Sequence, residues 1–519
     1  MRFIHSQALV VIVASFLVAG QVAAFSSPEE AADFEAFAAQ SEFADYGTIP
    51  VMEEDGPQQT HFESWSEKDV PIVPQNIKIT NLLRTLDLSR PLIREITSAA
   101  IQNIAEEDVS DYYFPVDLAY MSNLAHITAE NRKTKEALEL VKDEHYLDGQ
   151  FQYYRIKLSS PLTPGEKMQI TIKSSLSNII RPFPTHVGQA EKQKVLYFGN
   201  PFALTAYPAT KQKTTVITPS NVLDVLHSPE EVDVVIKNNQ VILGPYNDVS
   251  ALEHGIFEIQ YQLTGAIQHV RHLRRDVEVS HWGNNLAIEE HYNFVNNGAQ
   301  LKGQFSRIDY QRNPMGLRDG NGILGFITQI PKLASEIYYR DEIGNISTSA
   351  IVHQPDHVQL HMKPRFPIFG GWNTTWYLGY NAPLDGYVHN VPKSDKYILK
   401  VPVFAPMKDT TYEQVEIRVV LPEGSQNVKV HIPFEVESIV QSTTKTYMDS
   451  AGRSTVTIEA RNLIEDHAQD MLIEYEYSSA SYLTKPFAAA AMLMAVFATS
   501  MVVSRLDFKI GGSAIKKNK

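Results

Sequence analysis

Cysteine is absent from this chain of 519 residues, and its absence is the first constraint on the chemistry. Without cysteine the chain forms no disulfide bonds and is neither a thiol oxidoreductase nor a protein that binds metal through thiolates. A chain of this length must then be stabilised by burying apolar side chains, and its hydrophobic content of 43% is enough to build such a core.

Long apolar runs are also scarce, and the two that exist lie near the ends of the chain. Near the N-terminus, Arg2 and His5 precede the apolar run 8–19 and the small residues 22–24, a pattern typical of a signal peptide. We predict a signal peptide over residues 1–24, because the run is shorter than the about 20 residues that a spanning helix needs. An uncleaved anchor is the alternative, and either one directs the chain into the secretory pathway.

The second apolar run predicts a membrane anchor. Residues 486–503 carry no charge and as a helix would extend about 27 Å, which suits the thin bilayer of the endoplasmic reticulum. With the flanking apolar residues we predict a transmembrane helix over 483–503. The tail 504–519 is basic, so the positive-inside rule predicts that it is cytosolic and that the bulk of the chain is lumenal.

Negative charge is concentrated in one segment. Of the net charge of −14, most arises between residues 25 and 69, where twelve acidic residues face only Lys68. This segment is too polar and too self-repelling to fold alone, so we predict a disordered acidic arm over 25–69. The remainder is nearly neutral, which argues against nucleic acid as a partner.

Beyond residue 70 the main signal is alternation of apolar and polar residues, which predicts half-buried strands. Examples are 151–158, 168–172, 415–419 and 428–432. Turn residues separate such segments, as in Thr163-Pro164-Gly165, Asn238-Asn239 and Pro422-Glu423-Gly424. We therefore predict a mostly β fold with minor helix, the helix lying over Thr128–Glu144, where Thr128 can act as its N-cap.

A weak internal repeat predicts the domain organisation. Residues 84–89 (RTLDLS) resemble 275–280 (RDVEVS), and 241–262 resemble 456–477 without a gap. We predict two tandem antiparallel β-sandwich-like domains, over 70–266 and 267–480, followed by the transmembrane helix. Chance similarity between two β-rich segments is the alternative explanation.

Short motifs that could indicate a catalytic, cofactor or metal site are better explained as ordinary turns and strands. The sequence 320–325 fits GxGxxG but follows a polar segment instead of a buried strand, so a glycine-rich turn is favoured over a dinucleotide site. The histidines His353, His357 and His361 have helical spacing, but Pro355 interrupts a helix and the neighbouring apolar residues alternate as in a strand. We predict no catalytic residue, no cofactor and no metal.

Three sets of residues are candidates for other roles. Two sequons place glycan candidates at Asn345 and Asn373. Small residues that form one stripe along the predicted span are candidates for helix packing: Ala488, Ala491, Ala495 and Ala498. The C-terminal Lys516 and Lys517 fit a Lys-Lys-x-x pattern and are candidates for a retrieval signal. The alternative is that they only form part of a solvated basic tail.

Aromatic and charged residues of the second domain could lie in its interior or on a contact surface. For Trp282, Phe369, Trp372 and Trp376, core packing is favoured over a surface for peptide or sugar. A buried polar network is predicted for Arg307, Asp309, Arg340 and Asp341.

The second domain contains strings specific enough to indicate a family. These are 279–284 (VSHWGN), 301–312 (LKGQFSRIDYQR), 338–345 (YYRDEIGN), 364–372 (PRFPIFGGW) and, after the span, 505–508 (RLDF). Together they resemble the ribophorin I family, subunit 1 of the oligosaccharyltransferase complex. The acidic arm lies outside the family's pattern, and this chain ends soon after the RLDF string, where vertebrate relatives continue.

The resemblance implies a type I membrane protein of the endoplasmic reticulum that is a non-catalytic subunit supporting N-linked glycosylation at Asn-x-Ser/Thr. It implies as partners the other subunits, including the multi-spanning catalytic subunit, and nascent polypeptides. The tail departs from the family, and its Lys516-Lys517 pattern is by itself similar to the dilysine retrieval signal of ER membrane proteins. The alternative is an autonomous membrane-tethered lumenal carbohydrate-binding chaperone or hydrolase.

Overall fold

A computed structural model describes residues 73–147, 150–220, 222–227, 234–312, 320–446, 449 and 451–506. The predicted signal peptide, the acidic arm and most of the tail, with Lys516 and Lys517, lie outside the described residues. Strands dominate this part of the chain, and its one helix long and apolar enough to cross a membrane lies at the C-terminal end. The prediction of a mostly β body followed by a single apolar helix is confirmed.

Residues 73–267, here called the first half, build one apolar core. The strands of the first half are β1 (Ile77–Asp87), β2 (Ile93–Asn103), β3 (Val109–Asp117), β4 (Leu124–Asn131), β5 (Ala137–Leu138), β6 (Leu140–Leu147), β7 (Phe151–Leu162), β8 (Lys167–Leu176), β9 (Arg181–Pro182), β10 (His186–Val187), β11 (Lys194–Gly199), β12 (Ala209–Ile217), β13 (Val222–His227), β14 (Val234–Lys237), β15 (Gln240–Val249) and β16 (Phe257–Gln262).

Residues 268–477, the second half, build a separate apolar core. Its strands are β17 (Gln268–Ser280), β18 (Asn285–Asn296), β19 (Gln300–Leu301), β20 (Phe326–Pro331), β21 (Ser335–Asp341), β22 (Gly344–Asn345), β23 (Ala350–His353), β24 (His357–Met362), β25 (Asn373–Pro383), β26 (Val388–Asn390), β27 (Lys396–Pro402), β28 (Thr410–Glu423), β29 (Gln426–His431), β30 (Ser438–Thr444), β31 (Arg453–Leu463) and β32 (Asp470–Glu476). The α-helices among the described residues are α1 (Arg307–Arg312), in the second half, and α2 (Ser479–Arg505), which follows it. Single 3₁₀ turns occur at Leu118–Tyr120, Leu384–Gly386 and Glu465–His467.

The two halves have the same strand order. An eight-stranded sheet runs β14-β15-β12-β1-β2-β8-β4-β5 in the first half and β30-β31-β28-β17-β18-β25-β21-β22 in the second. The four-stranded sheets, β13-β16-β11-β9 and β29-β32-β27-β26, and the three-stranded sheets, β3-β7-β6 and β20-β24-β23, match in the same way. In both halves, the matched strands also follow each other in the same order along the chain.

Each eight-stranded sheet contains one parallel pair, β1 with β12 and β17 with β28, among antiparallel neighbours. The smaller sheets cover it, and the three sheets share a core. In the second half, for example, Val277 of β17, Val358 of β24 and Ile473 of β32 are all fully buried. This is the layered β architecture expected when alternating strands turn their apolar faces toward one another.

The sequence repeat falls on equivalent strands, since 84–89 overlaps β1 and 275–280 overlaps β17. Its two arginines occupy matching roles. The buried Arg84 pairs with Glu95 of β2 at 2.8 Å, and the buried Arg275 pairs with Glu290 of β18. The repeat therefore includes a buried ion pair as well as a strand pattern; the boundary at 266 and 267 itself stays a prediction.

The halves meet through β10 and β19, which pair in parallel, and through ion pairs. Arg94 of β2 lies 2.6 Å from Glu465, and Arg90 lies 3.1 Å from Asp409.

The helix predicted over Thr128–Glu144 is wrong, because this segment forms the second half of β4, all of β5 and part of β6. Ala129 pairs with Ile172 of β8 on one side and Leu138 of β5 on the other, and both Ala129 and Leu138 are buried. Between the strands, Asn131 accepts a hydrogen bond from the backbone N–H of Lys133 through its side chain. Tertiary pairing thus overrides the helical propensity of the segment.

Candidate functional site at the base of helix α2

Helix α2 begins almost directly from the β body. Only Tyr477 and Ser478 separate it from the end of β32, and the Ser478 hydroxyl caps the helix by accepting a hydrogen bond from the backbone N–H of Ser481 at 3.2 Å. The turn after β28 lies against this first helical turn. Gly424 there has φ of +91°, and a Cβ on it would lie 2.7 Å from the Ser481 hydroxyl oxygen.

Lys485 joins the helix to the β body. Its Nζ lies 2.6 Å from Oδ1 of Asp449 and 3.8 Å from a carboxylate oxygen of Glu423. The Asp449 side chain is 0% exposed, whereas that of Lys485 is 37% exposed. Arg453 of β31 contacts Asp449 at 3.2 Å and extends the network to Glu278 of β17.

The electrostatics of this network favour the charged form of Asp449. Burial alone would raise the pKa of Asp449, but hydrogen bonds from Lys485, from both donors of Thr446 and from Arg453 outweigh it and hold the pKa well below its usual range. The network therefore fixes the helix base to the end of β28 and the start of β31. Its carboxylates form ion pairs with Lys485 and Arg453, which indicates a structural role.

The predicted stripe of alanines lies beyond this base. All four residues, Ala488, Ala491, Ala495 and Ala498, are exposed, as is every residue from 487 to 502. The apolar part of α2 is therefore uncovered within the described part of the chain, as is required of a helix that contacts lipid or helices of other chains. The packing role of the stripe stays a prediction.

Both sequon asparagines are exposed and lie in the eight-stranded sheet of the second half. Asn345 of β22 accepts a hydrogen bond from Arg340 at 2.7 Å through Oδ1, not through the Nδ2 that carries a glycan. Asn373 begins β25 opposite Val295 of β18, at the end of the sheet far from α2. The surface position suits glycosylation, and occupancy stays a prediction.

The near-miss motifs have ordinary local structures. The segment 320–325 leads into strand β20, and Asn321 donates its side-chain amide to the Ala299 carbonyl. His353 lies in β23, and His357 and His361 lie in β24, with His357 bonded to Asp356 at 2.8 Å. Among the described residues no group of three or more His, Cys, Asp or Glu side chains is placed to hold a metal ion.

A cavity of about 730 Å³ lies beside β20 and the loop 403–409, which connects β27 to β28. Two carboxylates line it, Asp409 and Glu465, and each is paired with an arginine of the first half, Arg90 and Arg94. Both acids therefore have a cationic partner from the first half.

The aromatic residues divide between core and surface. Phe369 and Trp376 are buried, and Trp372 is half-buried with its ring 5.4 Å from that of Phe369, as core packing predicted. Trp282 differs, because it is 68% exposed in the turn between β17 and β18.

The predicted buried network of Arg307, Asp309, Arg340 and Asp341 is wrong. Arg307, Asp309 and Arg340 are exposed, and Asp341 pairs with Arg365 instead. Adjacent residues of a strand point to opposite faces, which separates the side chains of Arg340 and Asp341.

Sequence reasoning missed Asp449 and Glu423, which receive Lys485. The available signal was Lys485 itself, the lone basic residue just before an uncharged span. Its partners were out of reach, because Asp449 lies 36 residues away along the chain.

Comparisons with known proteins give a consistent result. The profile of the family described as Ribophorin I matches residues 77–504. Subunit 1 of the dolichyl-diphosphooligosaccharide–protein glycosyltransferase of Caenorhabditis elegans is 32% identical over 85% of this chain and 74% of its own length. Subunit 1B of Arabidopsis thaliana is 31% identical over 84% of this chain and 94% of its own length.

Similarity to solved structures is weak. The M1 zinc metallopeptidase from Deinococcus radiodurans has a TM-score of 0.23 at 12% identity over 40% of this chain and 48% of that chain.

Proposed function

The chain belongs to the ribophorin I family, and from this membership we propose that it is a non-catalytic subunit of the oligosaccharyltransferase complex. In this role it supports N-linked glycosylation of nascent proteins at Asn-x-Ser/Thr through assembly of the complex and presentation of substrates. The observation that carries the proposal is the family match over 77–504, together with relatives that are named subunit 1 of this glycosyltransferase.

The placement in the cell follows from the same proposal. Helix α2 crosses the endoplasmic reticulum membrane once, the two β-rich domains over 70–266 and 267–480 lie in the lumen, and the tail is cytosolic. The start of the span is supported by Lys485, because Asp449 holds this charged residue at the helix base, outside the apolar segment. Lys516 and Lys517 then act as a retrieval signal in the cytosolic tail.

A non-catalytic role is supported by the local chemistry of the cavity beside β20. Its two carboxylates are held in ion pairs with arginines, and catalytic acids need a pKa and a geometry suited to proton transfer. The chemical step of the complex then belongs to another, multi-spanning catalytic subunit.

Purification of the full-length chain in mild detergent, followed by mass spectrometry, tests the proposal. We expect a multi-spanning transferase and further subunits to co-purify in stoichiometric amounts. Depletion of the chain is expected to reduce occupancy of sequons on a subset of secretory proteins. Recovery of the chain without any transferase would refute the proposal.

An autonomous tethered carbohydrate-binding chaperone or hydrolase is the competing class. It requires that residues 70–480 alone bind a glycan or cleave a substrate. Glycan-array binding and hydrolase assays on that segment separate the two classes, provided that circular dichroism shows it to be folded.

A further inference from the structure

Trp282 is a large apolar side chain that lies outside the apolar core of the second half. It lies in the four-residue connection between β17, which ends at Ser280, and β18, which begins at Asn285. With 68% of its surface exposed, it differs from the buried Trp376 of the same sheet. Exposure leaves the large apolar ring of Trp282 in contact with water, and contact with an apolar phase would remove that surface from water.

The connection that holds Trp282 lies at the helix end of the sheet. Its neighbour His281 stacks on Tyr477, the second residue before α2, with ring centroids 4.9 Å apart. His281 also bonds to the Tyr475 hydroxyl at 2.6 Å. Trp282 therefore emerges directly beside the point at which the chain enters α2.

Other strand ends define the same edge. β28, parallel to β17, ends at Glu423, and β31 begins opposite at Arg453. Both ends contact the base of α2 through the network around Lys485. This edge, with the connections between its strands, is here called the helix-side edge.

Leu333 is a second exposed apolar side chain at the helix-side edge. It lies in the connection between β20 and β21, next to Lys332, and is 60% exposed. Ser335 of β21 pairs with Asn381 of β25, which in turn pairs with Ala287 of β18. Leu333 is therefore close to the level of Asn285, about 10 Å across the sheet from β18 at the usual strand spacing.

The length of α2 places this edge at the membrane surface. Its 27 residues extend about 40 Å, close to the thickness of a bilayer with its headgroup regions. The first residues of α2, and the side chains beside them, then lie at headgroup depth. Tryptophan is enriched at that depth because its ring is apolar while its indole N–H can bond to water and headgroups.

We propose that the helix-side edge docks on the lipid surface, with Trp282 and Leu333 inserting into the interface of the bilayer that α2 crosses. The inference rests on the membrane placement in the proposed function. The partner is the phospholipid bilayer itself. Two insertions beside α2 add a second constraint, besides the held helix base, on the orientation of the second half against the membrane.

Single-cysteine labelling provides the test, because the native chain has no cysteine to give background. The full-length variants Trp282→Cys, Leu333→Cys, Ile343→Cys and Met494→Cys are labelled with an environment-sensitive fluorophore. They are reconstituted in phosphatidylcholine vesicles with or without a nitroxide-labelled phosphatidylcholine. Ile343 is the matched control, since it is 79% exposed but lies at the opposite end of the same sheet, where Asp341 of β21 pairs with Trp376.

We expect labels at positions 282 and 333 to shift their emission to the blue and to be quenched by the nitroxide lipid, as at position 494, while the label at 343 shows neither change. Circular dichroism of each variant checks the fold. If the label at position 494 is quenched while those at 282 and 333 behave like the label at 343, the docking is refuted but the membrane crossing of α2 is not. If the label at 494 is not quenched, both the docking and the membrane crossing are refuted.

A protein neighbour in place of lipid gives a separate outcome. In that case the label at 282 is shielded in the purified native complex but remains accessible in vesicles that contain this chain alone. That outcome overturns the lipid assignment.

Discussion

Lys485 and Asp449 form a charged contact between the apolar helix and the β body, with Nζ and Oδ1 2.6 Å apart. Replacement of Lys485 by alanine is expected to lower the free energy of unfolding by about 1 kcal/mol, because the buried Asp449 loses one cationic partner while the other side of the pair was partly exposed. Denaturant titration of the full-length chain in detergent measures the change.

Lys396 serves as the control for this contact. It lies 3.9 Å from Glu476 and its side chain is 58% exposed, so Lys396→Ala is expected to leave stability almost unchanged. Equal losses for the two variants would contradict a specific role of the helix base.

The two buried arginine pairs of the repeat differ in how much support they receive. Arg84 also donates to the carbonyl oxygens of Asn200 and Phe202, at 2.6 and 3.1 Å, whereas the Arg275 side chain depends more on Glu290. Glu290→Gln is expected to cost about 3 to 5 kcal/mol in unfolding free energy, because it leaves a buried cation without its anion.

Glu95→Gln is the matched variant in the first half and is expected to cost less, since Glu95 is partly exposed and Arg84 keeps its two carbonyls. Chemical denaturation of both variants compares them. A larger cost for Glu95→Gln would contradict this ranking.

His467 is expected to make the stability of the chain depend on pH. Burial, with His126 nearby, lowers the pKa of His467 to about 4, and its Nδ1 accepts the backbone N–H of Ile464 at 3.1 Å. Because the unfolded chain binds the proton more readily, the contribution of His467 is complete above about pH 6.5 and is lost as the pH falls toward 4.

Thermal unfolding at intervals between pH 7 and pH 4.5 measures this dependence. His467→Gln is expected to flatten the slope, and His389→Gln, at an exposed position, should keep the wild-type slope. An unchanged slope in His467→Gln would assign the pH dependence to other groups.

The alanine stripe predicts a contact between α2 and other helices. Replacing Ala491 and Ala495 together by leucine is expected to loosen the complex in detergent, because larger side chains keep a neighbouring helix at a distance. The control is Ala489→Leu with Ser500→Leu, which lie about half a turn around the helix at 100° per residue. Co-purification measures both, and unchanged recovery of partner subunits with the stripe variant would refute the contact.

The exposed sequons predict two glycans. Mobility after glycosidase treatment is expected to shift in wild type, and Asn345→Gln and Asn373→Gln should each remove one step. Ser347→Ala and Thr375→Ala keep the asparagines but abolish the sequons, so they should reproduce the losses. A wild-type chain that does not shift would contradict the prediction.

Local patterns predicted the strands and the span well, because alternation and apolar length report burial directly. Residues 151–158 lie in β7, and the turn Asn238-Asn239 joins β14 to β15. The repeat was also visible, since matched strands keep matched side chains.

The pairing of strands that are distant along the chain could not be predicted from local sequence patterns. The parallel contact of β1 with β12 joins residues about 130 positions apart, as in Ile79 with Ala209. The failure at Thr128–Glu144 has the same cause, because the partner strand β8 decides the conformation there. At the helix base, Lys485 was a visible signal whose partner could come only from the fold.

The short step from β32 to α2 has a mechanical consequence. With two residues between strand and helix, and with Lys485 holding the base, no flexible linker absorbs rotation. A tilt of about 20°, ordinary for membrane helices, would displace a point 30 Å away in the β body by about 10 Å. Neighbouring helices that set the tilt of α2 would thereby also set how high above the bilayer each sequon and each sheet of the second half stands.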